Sequence, residues 1–304
     1  MLRVFKRHYI LITAILILLV MSAAYFFSSL RENDGHFVYV LDDGYIHMAM
    51  AKNFVKYGVW GITKYGFSST SSSPLWALLL SVVYFIFGVN EIAPFLLNII
   101  FGISVLVICY ALCRKESFNS YMTFIILFSV LFFTPLIPVI FCGQEHILHI
   151  LIAMPFLYFS AEALARENSG KRDLLVLLVL SPLLTTVRYE GLFMLSVVCL
   201  LFFVKKKAEE ALLLGITGFL PIVAYGFLSI SKGWFFLPTS VLLKGSIPDL
   251  SSWGSALLFM ERGYEKIAKS VHILYLLIFS LVIAVALFKK NRDLWGKRKM
   301  LMVI

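Results

Sequence analysis

The sequence predicts an all-α polytopic membrane protein, and three observations carry that prediction. Hydrophobic residues make up 61% of the 304 and charged residues only 14%, against about 45–50% and about 25% in soluble domains. The mean hydropathy is +0.91. Apolar runs recur along the whole chain, several of them near the 20 residues or so that span a hydrocarbon core about 30 Å thick. Backbone groups in lipid must bond within their own segment, so these runs are helices. Nothing divides the chain further, and residues 1–304 read as a single transmembrane domain.

The formal charge of +10 does not point to nucleic acid. The basic residues sit in short clusters between apolar runs, the pattern of cytoplasmic helix ends. Cys109, Cys113, Cys142 and Cys199 form no CxxC pair and read as small buried hydrophobes.

The N-terminus carries Arg3, Lys6 and Arg7, and the apolar run 9–27 follows. That run exceeds the 7–15 or so residues of a signal-peptide core, so it reads as an uncleaved anchor with a cytoplasmic N-terminus. Within the polar stretch behind it, residues 42–57 have helical spacing, with Tyr45, Met48, Ala49, Ala51, Phe54 and Val55 on one broad face. Gly58 is the expected stop, and the segment reads as an amphipathic helix on the membrane surface. Asp42 and Asp43 stand at its N-terminal end, where carboxylates cap free N–H groups. The serine-rich stretch 68–73 reads as a loop. Further apolar runs are 92–112, 119–141, 146–164, 174–187, 191–204, 211–229 and 271–289, with a shorter one over 74–88.

If every run crosses, Arg114–Lys115, Arg166 with Lys171–Arg172, and Lys205–Lys207 all land outside. If 74–88 instead dips in and returns, or lies along the interface, every basic cluster falls inside, including the tail from Lys289 to Lys299. That arrangement has about eight spans and outer loops 28–91, 142–146, 188–190 and 230–270.

Each outer loop then holds polar residues out of place in so apolar a chain: Asp42-Asp43-Gly44-Tyr45, Gly143-Gln144-Glu145-His146, Arg188-Tyr189-Glu190-Gly191, and Leu237-Pro238-Thr239-Ser240 with Lys244 beyond. Ionisable residues at membrane depth are functional candidates. An Asp can take a proton from a hydroxyl, while Arg188 and Lys244 can hold a phosphate, one as a fork and one as a point charge. Plainer roles stand beside these. Asp42 and Asp43 suit N-caps, Glu145 and His146 a helix start, Arg188 and Glu190 an ion pair, and Lys244 an interfacial anchor. His47 reads as a solvated helix residue, or with Asp43 as part of a cation site. No GxGxxG or P-loop pattern appears.

Taken in order, these segments resemble the polytopic glycosyltransferases of the GT-C superfamily. The nearest pattern is the branch that includes the mycobacterial terminal arabinofuranosyltransferase and its bacterial relatives. Asp42-Asp43-Gly44-Tyr45-Ile46 and Ser73-Pro74-Leu75-Trp76 match its first-loop elements. Gly143-Gln144-Glu145 matches Gly-x-Glu-Thr, with His146 in place of Thr. Arg188-Tyr189-Glu190-Gly191 matches Arg-Pro-Glu/Asp-Gly, with Tyr189 in place of Pro. Leu237-Pro238-Thr239 and Lys244 match Leu-Pro-Asn-Thr…Lys, with the Asn missing.

The resemblance implies a GT-C-like helical bundle whose long first outer loop carries an amphipathic juxtamembrane helix. It implies transfer of a sugar from a polyprenyl-phosphate donor to a cell-envelope glycan or lipid acceptor, on the outer face of a bacterial cytoplasmic membrane. Asp42 or Asp43 inherits the catalytic base role. Arg188 and Lys244 would hold phosphate, Glu145 and Glu190 would orient sugar or cation, and His146 and Tyr45 fall in the binding set. Some members use a divalent cation. Members of this branch usually run longer, so the resemblance implies either a short member or one lacking a C-terminal portion. A transporter or flippase of lipid-linked sugars, or an inactive accessory protein, would share much of this pattern. A transporter would usually show internal repeats and a midplane site; no repeat is visible.

The charge pattern makes a topological prediction. A periplasm-active reporter fused after residue 115 is silent, and one fused within residues 28–73 is active. An active fusion at 115 overturns the in-and-out path of 74–88.

Overall fold

The computed structural model describes residues 2–167 and 170–244 and the isolated positions 254, 257, 261 and 265. The expected span 271–289, the loop beyond residue 244 and the basic tail lie outside the described residues. Among those described, the fold is all helical: α1 (Leu2–Glu32), α2 (Asp43–Tyr57), α3 (Pro74–Phe87), α4 (Ala93–Lys115), α5 (Ser120–Phe132), α6 (Leu136–Ile140), α7 (His146–Ala165), α8 (Lys171–Val187), α9 (Gly191–Val204), α10 (Ala208–Ser231) and α11 (Thr239–Lys244). Four of these helices are long and apolar enough to cross a membrane: His8–Glu32 within α1, then α4, α7 and α10. The helices α3, α5 and α9 are apolar but only 14, 13 and 14 residues long, about 20 Å each.

Local chemistry sets the helix ends. Asn119 caps α5 by accepting from the Met122 N–H at 2.8 Å. Gly58 closes α2 with φ of 66°, its N–H returning to the Phe54 carbonyl at 3.0 Å, and only glycine enters that region without strain. The apolar run 119–141 is not one helix, as the sequence led us to expect. It breaks after Phe132, because Pro135 has no N–H to donate and disfavours helix in the residue before it, and it resumes as the short α6.

Helix α2 buries a mixed polar and apolar face against the bundle. Gly44, His47, Met48, Met50, Ala51 and Asn53 are buried, while Tyr45 and Phe54 are exposed. Polar partners decide this. Asn53 Nδ2 donates to the Gly61 and Ile62 carbonyls at 3.0 and 2.7 Å. His47 Nδ1 lies 3.1 Å from Ser71 Oγ, so His47 is a buried residue and not a solvated one. A Cβ on Gly44 would stand 2.8 Å from the Cys142 carbonyl oxygen, so the first turn of α2 sits directly on the turn before α7. The serine stretch is likewise buried: Ser69, Ser71 and Ser73 are inside, Ser71 Oγ accepts the Ser73 N–H at 3.0 Å, and the Ser69 carbonyl accepts the Thr239 N–H at 2.8 Å.

The long helices give the bundle two chemically distinct ends. At one end the tips of α4, α7, α8 and α10 are tied by charge. Lys115 and Arg166 flank Glu162 at 3.4 and 3.2 Å, Arg166 pairs with Asp173 at 2.6 Å, and Lys207 Nζ donates to the Ala163 and Arg166 carbonyls at 2.6 and 2.9 Å. The start of α1 joins them through His8 Nδ1 and Tyr110 Oη, 3.0 Å apart. The opposite end holds the starts of α4 and α7 and the α8–α9 turn. There Asn98 Nδ2 donates to the Gln144 carbonyl at 3.1 Å, and Trp76 Nε1 donates to the Gly143 carbonyl at 3.2 Å. Tyr39 Oη donates to the Glu91 carbonyl at 2.6 Å and accepts the Phe95 N–H at 3.1 Å. Trp76 stands near the start of α3 and Glu91 just past its end, so the chain enters and leaves α3 at this same end. Between the ends, α8 and α10 meet through small and hydroxyl residues, with Ser181 and Thr217 at 2.8 Å and Thr185 donating to the Gly218 carbonyl at 2.7 Å.

Two substitutions separate close packing from open space. Gly44→Ala forces its Cβ against backbone and lowers stability by about 1–3 kcal/mol. Gly215→Ala meets nothing within 4 Å and raises stability by about 0.5–1 kcal/mol through helix propensity. Denaturant unfolding of the two purified variants in detergent measures both.

Candidate functional site

At the end opposite the Lys115–Glu162–Arg166 network lies a cavity of about 610 Å³, within the roughly 300–1,000 Å³ of small-molecule sites. Its polar wall includes Asp43, His47, Gln144, Glu145, Arg188 and Glu190, with Ser72 and Ser240 beside them. Phe193, Ile222 and Leu237 supply apolar wall. Four segments far apart in sequence, around residues 43, 145, 188 and 240, therefore share one chamber.

Glu145 is its centre. It precedes the first residue of α7 and is only 2% exposed. Arg188 Nη1 donates to Glu145 Oε1 at 3.0 Å and also contacts His146 Nδ1. Arg188 Nη2 donates to Glu190 Oε1 at 2.7 Å. His47 Nε2 lies 3.4 Å from Glu145 Oε2, outside hydrogen-bond geometry. The local chain explains how Arg188 reaches inward. It follows Val187, the last residue of α8, in an extended conformation, and the Gly191 N–H closes the turn on the Arg188 carbonyl at 2.9 Å. A Cβ on Gly191 would stand 2.6 Å from the Leu184 carbonyl oxygen, so the last position of Arg-Tyr-Glu-Gly has to be glycine.

Charge settles unevenly in the site. Burial pushes the Glu145 carboxyl up to about 7, and the attraction of Arg188 only partly opposes it. Glu190 goes the other way. Burial is the largest influence and would raise it, but the Arg188 hydrogen bond, a backbone hydrogen bond and the Arg188 charge together outweigh burial and hold its carboxyl below the usual range.

The structure sorts the sequence candidates. Asp43, His47, Glu145, Arg188 and Glu190 line the cavity, and His146 touches it through Arg188. Asp42 is exposed and lines nothing. It occupies the N-cap position of α2 without a side-chain cap, because its backbone is helical (φ −71°, ψ −31°) where a capping side chain needs an extended one. Tyr45 is also off the cavity, with its hydroxyl accepting the Tyr39 N–H at 2.9 Å. Lys244 ends α11, and its side chain lies outside what is described. Among the described residues no group of three or more His, Cys, Asp or Glu is placed to hold a metal ion; Asp43 and His47 share the cavity wall, and no step is assigned to a metal. Gln144 and Ser240 were visible only as members of quoted motifs. Ser196, alone in an apolar run, carried no signal.

A second cavity of about 340 Å³ adjoins in sequence, lined by Phe54, Trp60, Leu75, Leu78, Tyr225 and Leu228. Its Pro74 and Thr186 lie two residues from Ser72 and Arg188 of the first. Comparison of the chain with family models, with curated proteins and with solved structures gives no match in any of the three.

Glu145 makes stability depend on pH. Its folded carboxyl holds a proton more tightly than an unfolded one at 4.5, so its contribution is complete below about pH 4.5 and is lost as pH rises through about 7, some 3 kcal/mol in all. Thermal unfolding between pH 5 and 8 shows wild type losing stability relative to Glu145→Gln. Parallel curves refute the shifted carboxyl.

Proposed function

We propose that this chain is a membrane glycosyltransferase of the GT-C kind, transferring a sugar from a polyprenyl-phosphate donor to a cell-envelope glycan or lipid acceptor. In this reading the cavity faces the outer side of a bacterial cytoplasmic membrane and the basic clusters face the cytoplasm. One observation carries it: the four segments that resemble GT-C elements, scattered over about 200 residues of sequence, line a single cavity at the end of the bundle opposite the Lys115–Arg166–Lys207 clusters. The neighbouring apolar cavity suits a donor whose leaving group is tethered to a hydrocarbon tail.

The chemistry follows from the residues. Asp43, half-buried in the cavity wall, takes the proton of the acceptor hydroxyl. The acceptor oxygen bonds to the anomeric carbon, the carbon–oxygen bond to phosphate breaks, and its electron pair leaves on the phosphate. Direct displacement inverts the anomeric centre. Arg188 holds the leaving phosphate by exchanging one partner. Its bond to Glu145 is buried, but the Glu190 side chain is 55% exposed, and an exposed pair is weak enough to trade for a phosphate oxygen.

Purified protein given a synthetic polyprenyl-phosphate sugar and an acceptor releases polyprenyl phosphate. Asp43→Asn lowers kcat by about 100-fold or more, the scale of a lost general base, whereas Asp42→Asn stays within a few-fold of wild type. Equal turnover by wild type and Asp43→Asn sinks the base assignment, and no release from any lipid-phosphate sugar sinks the transferase.

A further inference from the structure

Unsatisfied polar atoms converge on this cavity. Buried polar groups in folded proteins are nearly always hydrogen-bonded, and each exception calls for an explanation. Gln144 Nε2 and Ser240 Oγ are buried without a hydrogen-bond partner, Glu145 Oε2 has only His47 Nε2 at 3.4 Å, outside hydrogen-bond geometry, and all three residues line the one chamber. Gln144 is 5% exposed and Glu145 2%. Neither is loosely placed. The Gln144 backbone is pinned by Asn98 Nδ2 on its carbonyl at 3.1 Å, and the other Glu145 oxygen is held by Arg188 at 3.0 Å.

The pattern has a chemical complement. It offers an amide donor, a carboxylate acceptor and a hydroxyl that is both. A ligand satisfying all three must both accept and donate, as the hydroxyl groups of a sugar ring do. Charge points the same way. The described lining carries Asp43 and Glu190 against Arg188, with Glu145 pushed toward its neutral form by burial, so a neutral group is favoured beside Gln144 over an anion. Water fills such positions when the cavity is open, and a ring of matching hydroxyls replaces it.

We infer that Gln144, acting with Glu145 Oε2 and Ser240 Oγ, is the specificity-determining residue that reads the hydroxyls of a neutral sugar ring in this cavity. The inference deepens the transferase proposal and rests on it for the ligand class. Gln144 touches substrate without taking part in bond making.

The test measures binding without turnover. The full chain is purified in a sugar-free amine-oxide detergent, and its thermal unfolding is followed while methyl glycosides of common hexoses and pentoses, or inorganic phosphate, are titrated. At least one glycoside stabilises the protein saturably and phosphate does not. Gln144→Met, near in volume and without the orphaned amide, unfolds at the wild-type temperature or above it and binds that glycoside about 3–10-fold more weakly. A residue needed only for structure would instead lower the unfolding temperature. Deoxy analogues on the wild-type protein give a readout that needs no variant: one lacking the hydroxyl that Gln144 meets loses affinity by a similar factor. No glycoside binding, or a Gln144→Met protein that binds like wild type, overturns the inference. Failure to release polyprenyl phosphate with Gln144-dependent glycoside binding intact sinks the transferase and leaves this inference standing.

Discussion

A carboxyl group buried in a chain this apolar has to be paired or neutralised, and much of the cavity end depends on how Glu145 meets that demand. Its pairing with Arg188 ties the start of α7 to the α8–α9 turn. His47, facing the other oxygen, ties α2 to the same point. Ser71 meets His47, Ser73 donates to Ser71, and α3 begins one residue later. Five stretches of chain are thus positioned around one side chain. Removing one partner of such a buried pair is costly, about 3–5 kcal/mol. Glu190 softens the constraint by giving Arg188 a second, more exposed partner.

The opposite end solves a different problem with similar groups. The tips of α4 and α7 leave carbonyls and charges to be satisfied, and Lys207, Arg166 and Lys115 gather on Glu162, Asp173 and the Ala163 and Arg166 carbonyls. Cations at helix C-termini also meet the negative end of the dipole. Tyr158 completes this layer, donating to Glu116 and Glu162 while Lys115 lies 4.5 Å over its ring. Among the described residues the ion pairs therefore fall into two layers, with only hydroxyl contacts such as Ser181–Thr217 in the apolar bundle between them. One layer is closed on itself; the other surrounds a cavity and leaves polar atoms unpaired.

The helical character of the chain, and the placing of Asp43, Glu145, Arg188 and Glu190 in one site, were legible because composition and out-of-place charges are strong one-dimensional signals. The rest depended on contacts that sequence distance hides. The burial of His47 and Asn53 on α2 leaves no mark in hydrophobicity, because it depends on partners from residues 61, 62 and 71. The burial of the serines at 69, 71 and 73 is hidden from sequence for the same reason. Run 119–141 looked continuous because a hydropathy window averages over Pro135. Asp42 and Asp43 could not be told apart by composition. Successive helical residues point about 100° apart, and only the docking of Gly44 on Cys142 fixes which carboxylate turns toward Glu145.

The two cavities together constrain the kind of molecule that fits the proposed transfer. A nucleotide-sugar would bring a diphosphate and a base, and the described lining of the polar chamber offers one guanidinium already shared between two carboxylates. A lipid-borne donor makes a smaller electrostatic demand. Its hydrocarbon already lies in the bilayer and holds the donor at the membrane, so the site does not have to draw the donor in through charge alone. Arg188 then meets the phosphate only where Glu190 can be displaced, at the more exposed side of the chamber, while the sugar ring faces the buried wall of Gln144 and Glu145. Under the proposed transfer the hydrocarbon, the phosphate and the ring each have a different chemical surrounding to meet, and that division suits a membrane-tethered sugar phosphate better than a soluble donor.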